Sequence, residues 1–72
     1  MPEKVVMRWE YHTEKFPVHF QLMQGVTFDE TAMARRLNEL GQDGWELVSV
    51  FSIPARRVRL RAIHAVLKRP VT

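Results

Sequence analysis

The sequence predicts an α+β fold, an antiparallel or mixed sheet of three to four strands with one helix packed on one face, in the order β-(β)-α-β-β. Three observations carry this. Residues 5 to 13 alternate in polarity, residues 28 to 40 repeat with a helical period behind a capping signature, and residues 45 to 53 and 58 to 68 form two extended runs separated by a proline turn. At 72 residues there is room for one small domain, spanning 1 to 72. The chain holds no cysteine, which excludes disulfides, thiolate zinc sites and a cysteine nucleophile. Stability has to come from packing, between subunits if one chain cannot supply enough.

In the first run Val5, Met7, Trp9, Tyr11 and Thr13 share one parity and Val6, Arg8, Glu10 and His12 the other. The apolar parity is the expected core side, which would place Trp9 and Tyr11 inside. Beyond Lys15 the apolar residues become Phe16, Val18, Phe20 and Leu22, so a turn or bulge is expected near residues 13 to 16. Pro17 lacks an N–H, which assigns the stretch from Phe16 to Met23 to a sheet edge or a loop.

Thr27-Phe28-Asp29-Glu30 fits a capping box with Thr27 as the cap. Phe28, Ala32, Met33, Leu37 and Leu40 then trace an apolar stripe, with Asp29, Arg35, Arg36 and Glu39 largely off it. Gly41 is the expected stop. After Gln42-Asp43-Gly44, the run from Trp45 to Ile53 is apolar on both faces, and Pro54 to Arg57 reads as a hairpin turn. The last run alternates from Val58 to Ala62 and is apolar on both faces from Ala62 to Leu67, the pattern of a central strand that Pro70 ends. The arrangement this suggests has the last strand between the first strand and the Trp45 strand. Because one helix covers one face, Val48, Val50, Ile63, Ala65 and Leu67 form a candidate oligomer interface, with a two-fold homodimer as the favoured partner arrangement.

The run from Leu37 to Val50, Leu-Asn-Glu-Leu-Gly-Gln-Asp-Gly-Trp-Glu-Leu-Val-Ser-Val, resembles the helix-to-strand signature of a small bacterial and phage family catalogued as domain of unknown function 4177. Trp9-Glu10-Tyr11 resembles that family's opening strand and Ala65-Val66-Leu67-Lys68-Arg69 its closing phrase, so the resemblance spans most of the chain. It implies a small α+β domain and no assigned activity, and hence no catalytic residues to transfer. The plain structural reading of the phrase is that Gly41 caps the helix, Gly44 permits the turn and Trp45 covers one end of the core. Glu46 is expected to face solvent or to pair with Arg59 or Arg61.

The strongest polar feature is Arg56-Arg57-Val58-Arg59-Leu60-Arg61. Arg57, Arg59 and Arg61 would stand about 7 Å apart on one strand face, close to the spacing of phosphates along an extended single strand. The favoured reading is a solvated face that deters edge aggregation. The alternative is a nucleic-acid-binding strand made of Arg56, Arg57, Arg59 and Arg61 with Arg69 nearby, and Trp9, Tyr11 and Phe20 as stacking platforms. Residues 41 to 72 hold six basic and two acidic groups, the source of the net charge of +3. His12 shares a face with Glu10, but neither it nor His19 or His64 stands in metal-ligand spacing, and His64 reads as a buried or interfacial imidazole. Neither a nucleophile elbow nor a phosphate loop occurs, so no catalytic residue, metal or cofactor is expected. No apolar run approaches a membrane span and the first residues lack a secretory pattern, so a cytoplasmic, non-enzymatic, self-associating interaction or small-ligand module is expected. Replacing Arg57, Arg59 and Arg61 together by serine should abolish any salt-sensitive oligonucleotide binding, read by fluorescence anisotropy; a variant with full affinity sinks the basic-strand reading.

Overall fold

The computed structural model describes residues 6–23, 25–53 and 61–71. The expected hairpin turn, with Arg56, Arg57 and Arg59, lies outside the described residues. The elements are strand β1 (Trp9–Gln21), strand β2 (Gly25–Thr27), helix α1 (Glu30–Gln42), strand β3 (Glu46–Ile53) and strand β4 (Arg61–Pro70). The four strands form one antiparallel sheet in the order β2-β1-β4-β3. The last strand therefore lies between the first and the Trp45 strand, as its two-sided apolar pattern requires.

β1 departs from expectation. It runs unbroken for 13 residues and pairs with β4 from Trp9↔Pro70 to Val18↔Arg61, so no turn interrupts residues 13 to 16. Phe16 to Gln21 belong to this strand, and the separate second strand is Gly25–Thr27, which folds back on His19 to Gln21. Because β2 reaches only to His19, Pro17 has no neighbour on that side and its missing N–H removes no bond there.

The register also shows which face is inside. Directly opposed residues share a face, and Glu10, His12, Glu14 and Phe16 stand opposite Arg69, Leu67, Ala65 and Ile63. Ala65 and Leu67 are 0% and 1% exposed and form the core with Phe16 and Leu40; Phe28, Met33, Leu37, Trp45 and Ile63 pack against it. The polar parity of β1 thus faces the helix. Trp9 and Tyr11 point to the other face, 38% and 64% exposed, which reverses the expected core placement. The apparent parity change at Phe16 is a change in what covers one continuous face. Charges on α1 and β4 meet the first half of that face, and apolar groups meet the second.

At the helix start the cap is Asp29, whose Oδ1 accepts from the Ala32 N–H at 2.9 Å. Thr27, the expected cap, is already committed to β2 and donates its hydroxyl to the His19 carbonyl. At the helix end Gly41 stays helical, and Gly44 takes the positive φ of 91° instead. Trp45 N–H donates to Leu40 O and Gly44 N–H to Gly41 O, both at 3.0 Å, the two-bond closure of a Schellman motif. The two glycines of the signature therefore carry different constraints. Gly44→Ala should destabilise by about 1 to 2 kcal/mol because a Cβ is strained at that φ. Gly41→Ala, with open space around its added methyl, should stabilise by about 0.5 to 1 kcal/mol. Paired urea melts check this, and equal effects at both sites would contradict it.

Candidate functional site

The helix-facing half of β1 carries three alternate polar residues, and period-two geometry places them in a row. Glu10 and Glu14 each find an opposite charge from another element, and His12 bonds to Glu14 beside it on the strand. The Glu14 carboxylate accepts from Arg36 Nε of α1 at 2.9 Å and from His12 Nε2 at 2.5 Å. An ionised carboxylate only accepts, so His12 carries its proton on Nε2. Arg36 also donates through Nη1 to Glu39 at 3.2 Å, one helical turn on. These bonds hold the Glu14 carboxyl below its ordinary value of 4.5, with Arg36 as the larger cause and His12 the second. A carboxylate held in its ionised form is a poor proton carrier, and what the arrangement does chemically is fasten α1 to β1.

A second group closes the other end. Arg69 of β4 donates through Nε to Glu10 and through Nη1 to the Asp43 carbonyl at 2.9 Å, and its guanidinium lies 4.3 Å from the centre of the Trp45 ring. The last turn of α1 has no basic residue of its own. Arg69 supplies one from the neighbouring strand, meeting the negative end of the helix dipole. His12 flanks Trp45 with ring centres 5.5 Å apart. A depression of about 340 Å³, open to solvent, lies beside this cluster and is lined by Glu10, Asp43, Gly44, Arg69 and Pro70. Of its three charged side chains, Glu10 and Arg69 are paired with each other, and Asp43 meets Arg69 through its backbone carbonyl.

The outer face of the sheet is different. Lys68 Nζ stands 4.3 Å over the Trp9 ring, and Phe51 stacks on His64 at 5.4 Å. Glu46, exposed, sits opposite Lys68 and not opposite an arginine. His64 is half-buried by Phe51 on this face, outside the core.

One family profile, Domain of unknown function (DUF4177), matches residues 9–70. The chain belongs to this family. No curated protein and no solved structure matches it. In this DUF4177 domain the phrase from Leu40 to Trp45 coincides with the helix closure, in which Gly44 takes the positive φ and Trp45 donates to Leu40 O.

The sequence-derived candidates divide. Val48 and Val50 are exposed, 51% and 44%, whereas Ala65 and Leu67 fill the domain's own core and Ile63 packs beside them, so these three are taken up within the protomer. Arg56, Arg57 and Arg59 lie outside the described residues, and Arg61 enters only as the backbone start of β4. Arg69 is committed to Glu10, Asp43 and Trp45. Glu14 and Arg36 were not singled out from the sequence; the available signal was opposite charge beside the apolar stripe on both elements. Among the described residues no group of three His, Cys, Asp or Glu side chains is arranged to hold a metal, and no helix is long and apolar enough to cross a membrane.

Because the folded value of Glu14 is lowered, its pairing stabilises the fold above the unfolded value near 4.5 and is lost as pH falls through the folded one. Wild type should therefore melt above Glu14→Gln at pH 7, and the gap should close as the pH is taken to about 2. A gap that persists in acid would contradict this role.

Proposed function

We propose that this DUF4177 domain is a non-enzymatic, self-associating interaction module that works in the cytoplasm as a homodimer. One observation carries the reading: the chain exposes more surface than a folded monomer of its size. Its accessible surface is 6413 Å². A compact monomer of 8.5 kDa should expose about 4,700 Å², leaving roughly 1,700 Å² in excess. That falls within what one partner of an obligate dimer buries, on the order of 1,000 to 2,500 Å².

Three further features support it. Only five hydrophobic residues are buried among the described residues, Phe16, Val18, Leu40, Ala65 and Leu67. The radius of gyration is 16.8 Å, against about 11 Å for a compact chain of this length. The single 13-residue helix covers one face of the sheet, which leaves Trp9, Tyr11 and Phe51 of the opposite face 38%, 64% and 45% exposed. The depression beside Arg69 is the place for a small ligand, and a lining in which Glu10 pairs with Arg69 and Asp43 adds a further carboxylate argues against an anionic one. Light scattering behind a sizing column should give about twice the 8.5 kDa chain mass, with a melting temperature that rises with protein concentration. A single-chain mass and a concentration-independent melt across about two decades of concentration would overturn the proposal.

A further inference from the structure

Resting on the dimer reading and deepening it, we infer that the seam between the two copies is β3, paired antiparallel with its own copy across a two-fold axis to make one continuous eight-stranded sheet. β3 is an edge strand, bonded to β4 on one side only. Along its other side, the outward N–H and C=O groups of alternate residues in this eight-residue strand have no strand beside them among the described residues. An open edge is a template for another strand, and proteins that keep one usually blunt it with charge, proline or brevity.

The two edges of this sheet contrast in that respect. The far edge is β2, three residues long, and beyond its reach β1 from Trp9 to Val18, which is blunted by Glu10, Glu14, Lys15 and Pro17. β3 is eight residues, Glu-Leu-Val-Ser-Val-Phe-Ser-Ile, with its single charge at the first position and no proline. Its one irregularity is a bulge, Val48 being the residue with no partner between Leu47↔Leu67 and Ser49↔Val66. On the helix face Leu47 and Val50, and on the outer face Phe51, are each 44–45% exposed, and Val48 is 51% exposed. Apolar side chains half-covered on both faces of an edge blunted only by one bulge near its start need something alongside the strand, and a layer over one face would cover only half of them.

A second copy fits. An antiparallel match of a strand with itself is isologous, so it closes at two subunits and leaves as outer edges only the short β2 and the part of β1 that β2 does not reach, which carries Glu10, Glu14, Lys15 and Pro17. The axis runs through the sheet, so both helices stay on the same face. Leu47 and Val50 of each copy then meet across the seam between the two helices, while the Phe51 side chains draw together beneath. Stacking of the outer faces is less favourable, because Lys15, Lys68 and Glu46 would be desolvated between the copies.

The absence of cysteine gives a clean test. In the full chain, single cysteines at Val48, Ser49, Val50 and Phe51 should give rapid intermolecular disulfides at the position nearest the axis, where two Cα atoms come within about 6 Å, while Ala34→Cys on the exposed helix face should not. Val50→Lys, which sets like charges across the seam, should weaken dimerisation roughly 100-fold with far-UV dichroism retained. If that variant unfolds, the cysteine series decides. A wild-type dimer that neither cross-links along β3 nor responds to the lysine would overturn the β3 seam and leave self-association standing. A wild-type monomer would overturn both. Capture of an added β-strand peptide in place of a second copy, with wild type monomeric, would also overturn the seam as drawn.

Discussion

The governing constraint is a mismatch of lengths: one helix of 13 residues lies against a sheet whose longest strand also has 13. The same residue count gives a strand more than twice as long as a helix, because the rise per residue is about 3.3 Å in one and 1.5 Å in the other. A single helix therefore cannot close the core of this sheet. The small buried cluster around Ala65 and Leu67 and the half-covered β3 reflect that shortfall, and the exposed aromatic residues of the outer face reflect the lack of a second layer there among the described residues.

Part of the covered area is used for charge. Glu10, His12 and Glu14 occupy helix-facing positions where a larger domain would place apolar side chains, and Arg36 and Arg69 reach them from two other elements. All are partly solvated, so their net contribution to stability is modest. Their geometric effect is larger. Arg36 fixes where along β1 the helix lies, and Arg69 ties β4 to β1 and to the carbonyl end of α1 at once. With Trp45 between Arg69 and His12, the helix terminus, the turn and two strands share one junction.

Much of the architecture was legible in the sequence, including the class, the single helix, the central placement of β4 and the family phrase. What failed did so for identifiable reasons. Alternation in β1 establishes that its two faces differ, but the choice of covered face depends on partners far along the chain, Arg36 and Arg69. The same long-range pairing made one strand look like two. Thr27 and Asp29 are both good caps two residues apart, and pairing of Thr27 in β2 decided between them. Gly41 and Gly44 are both plausible stops, and the apolar stripe ending at Leu40 favoured the earlier one. Ala65 and Leu67 were assigned to an interface because nothing local distinguishes a residue buried under its own helix from one buried under a neighbour's. The Glu14–Arg36 pair spans 22 positions, beyond the reach of any local motif.

The bulge in β3 has a consequence for how this domain can change over generations. Strict alternation from Leu47 would send Ser49 and Phe51 toward the helix. The extra residue, Val48, turns the remainder of the strand over, so that Val50 and Ser52 face the helix and Phe51 lies outside against His64. Loss of that one codon would remove the bulge and make Leu47 and Ser49 ordinary neighbours opposite Leu67 and Val66, so everything downstream in β3 would keep its present face. Exchange of Val48 for another residue would leave that arrangement intact. Lineages of this domain are thus free to vary the side chain at position 48 and even to lose the residue, because the positions on either side of it already stand opposite consecutive residues of β4.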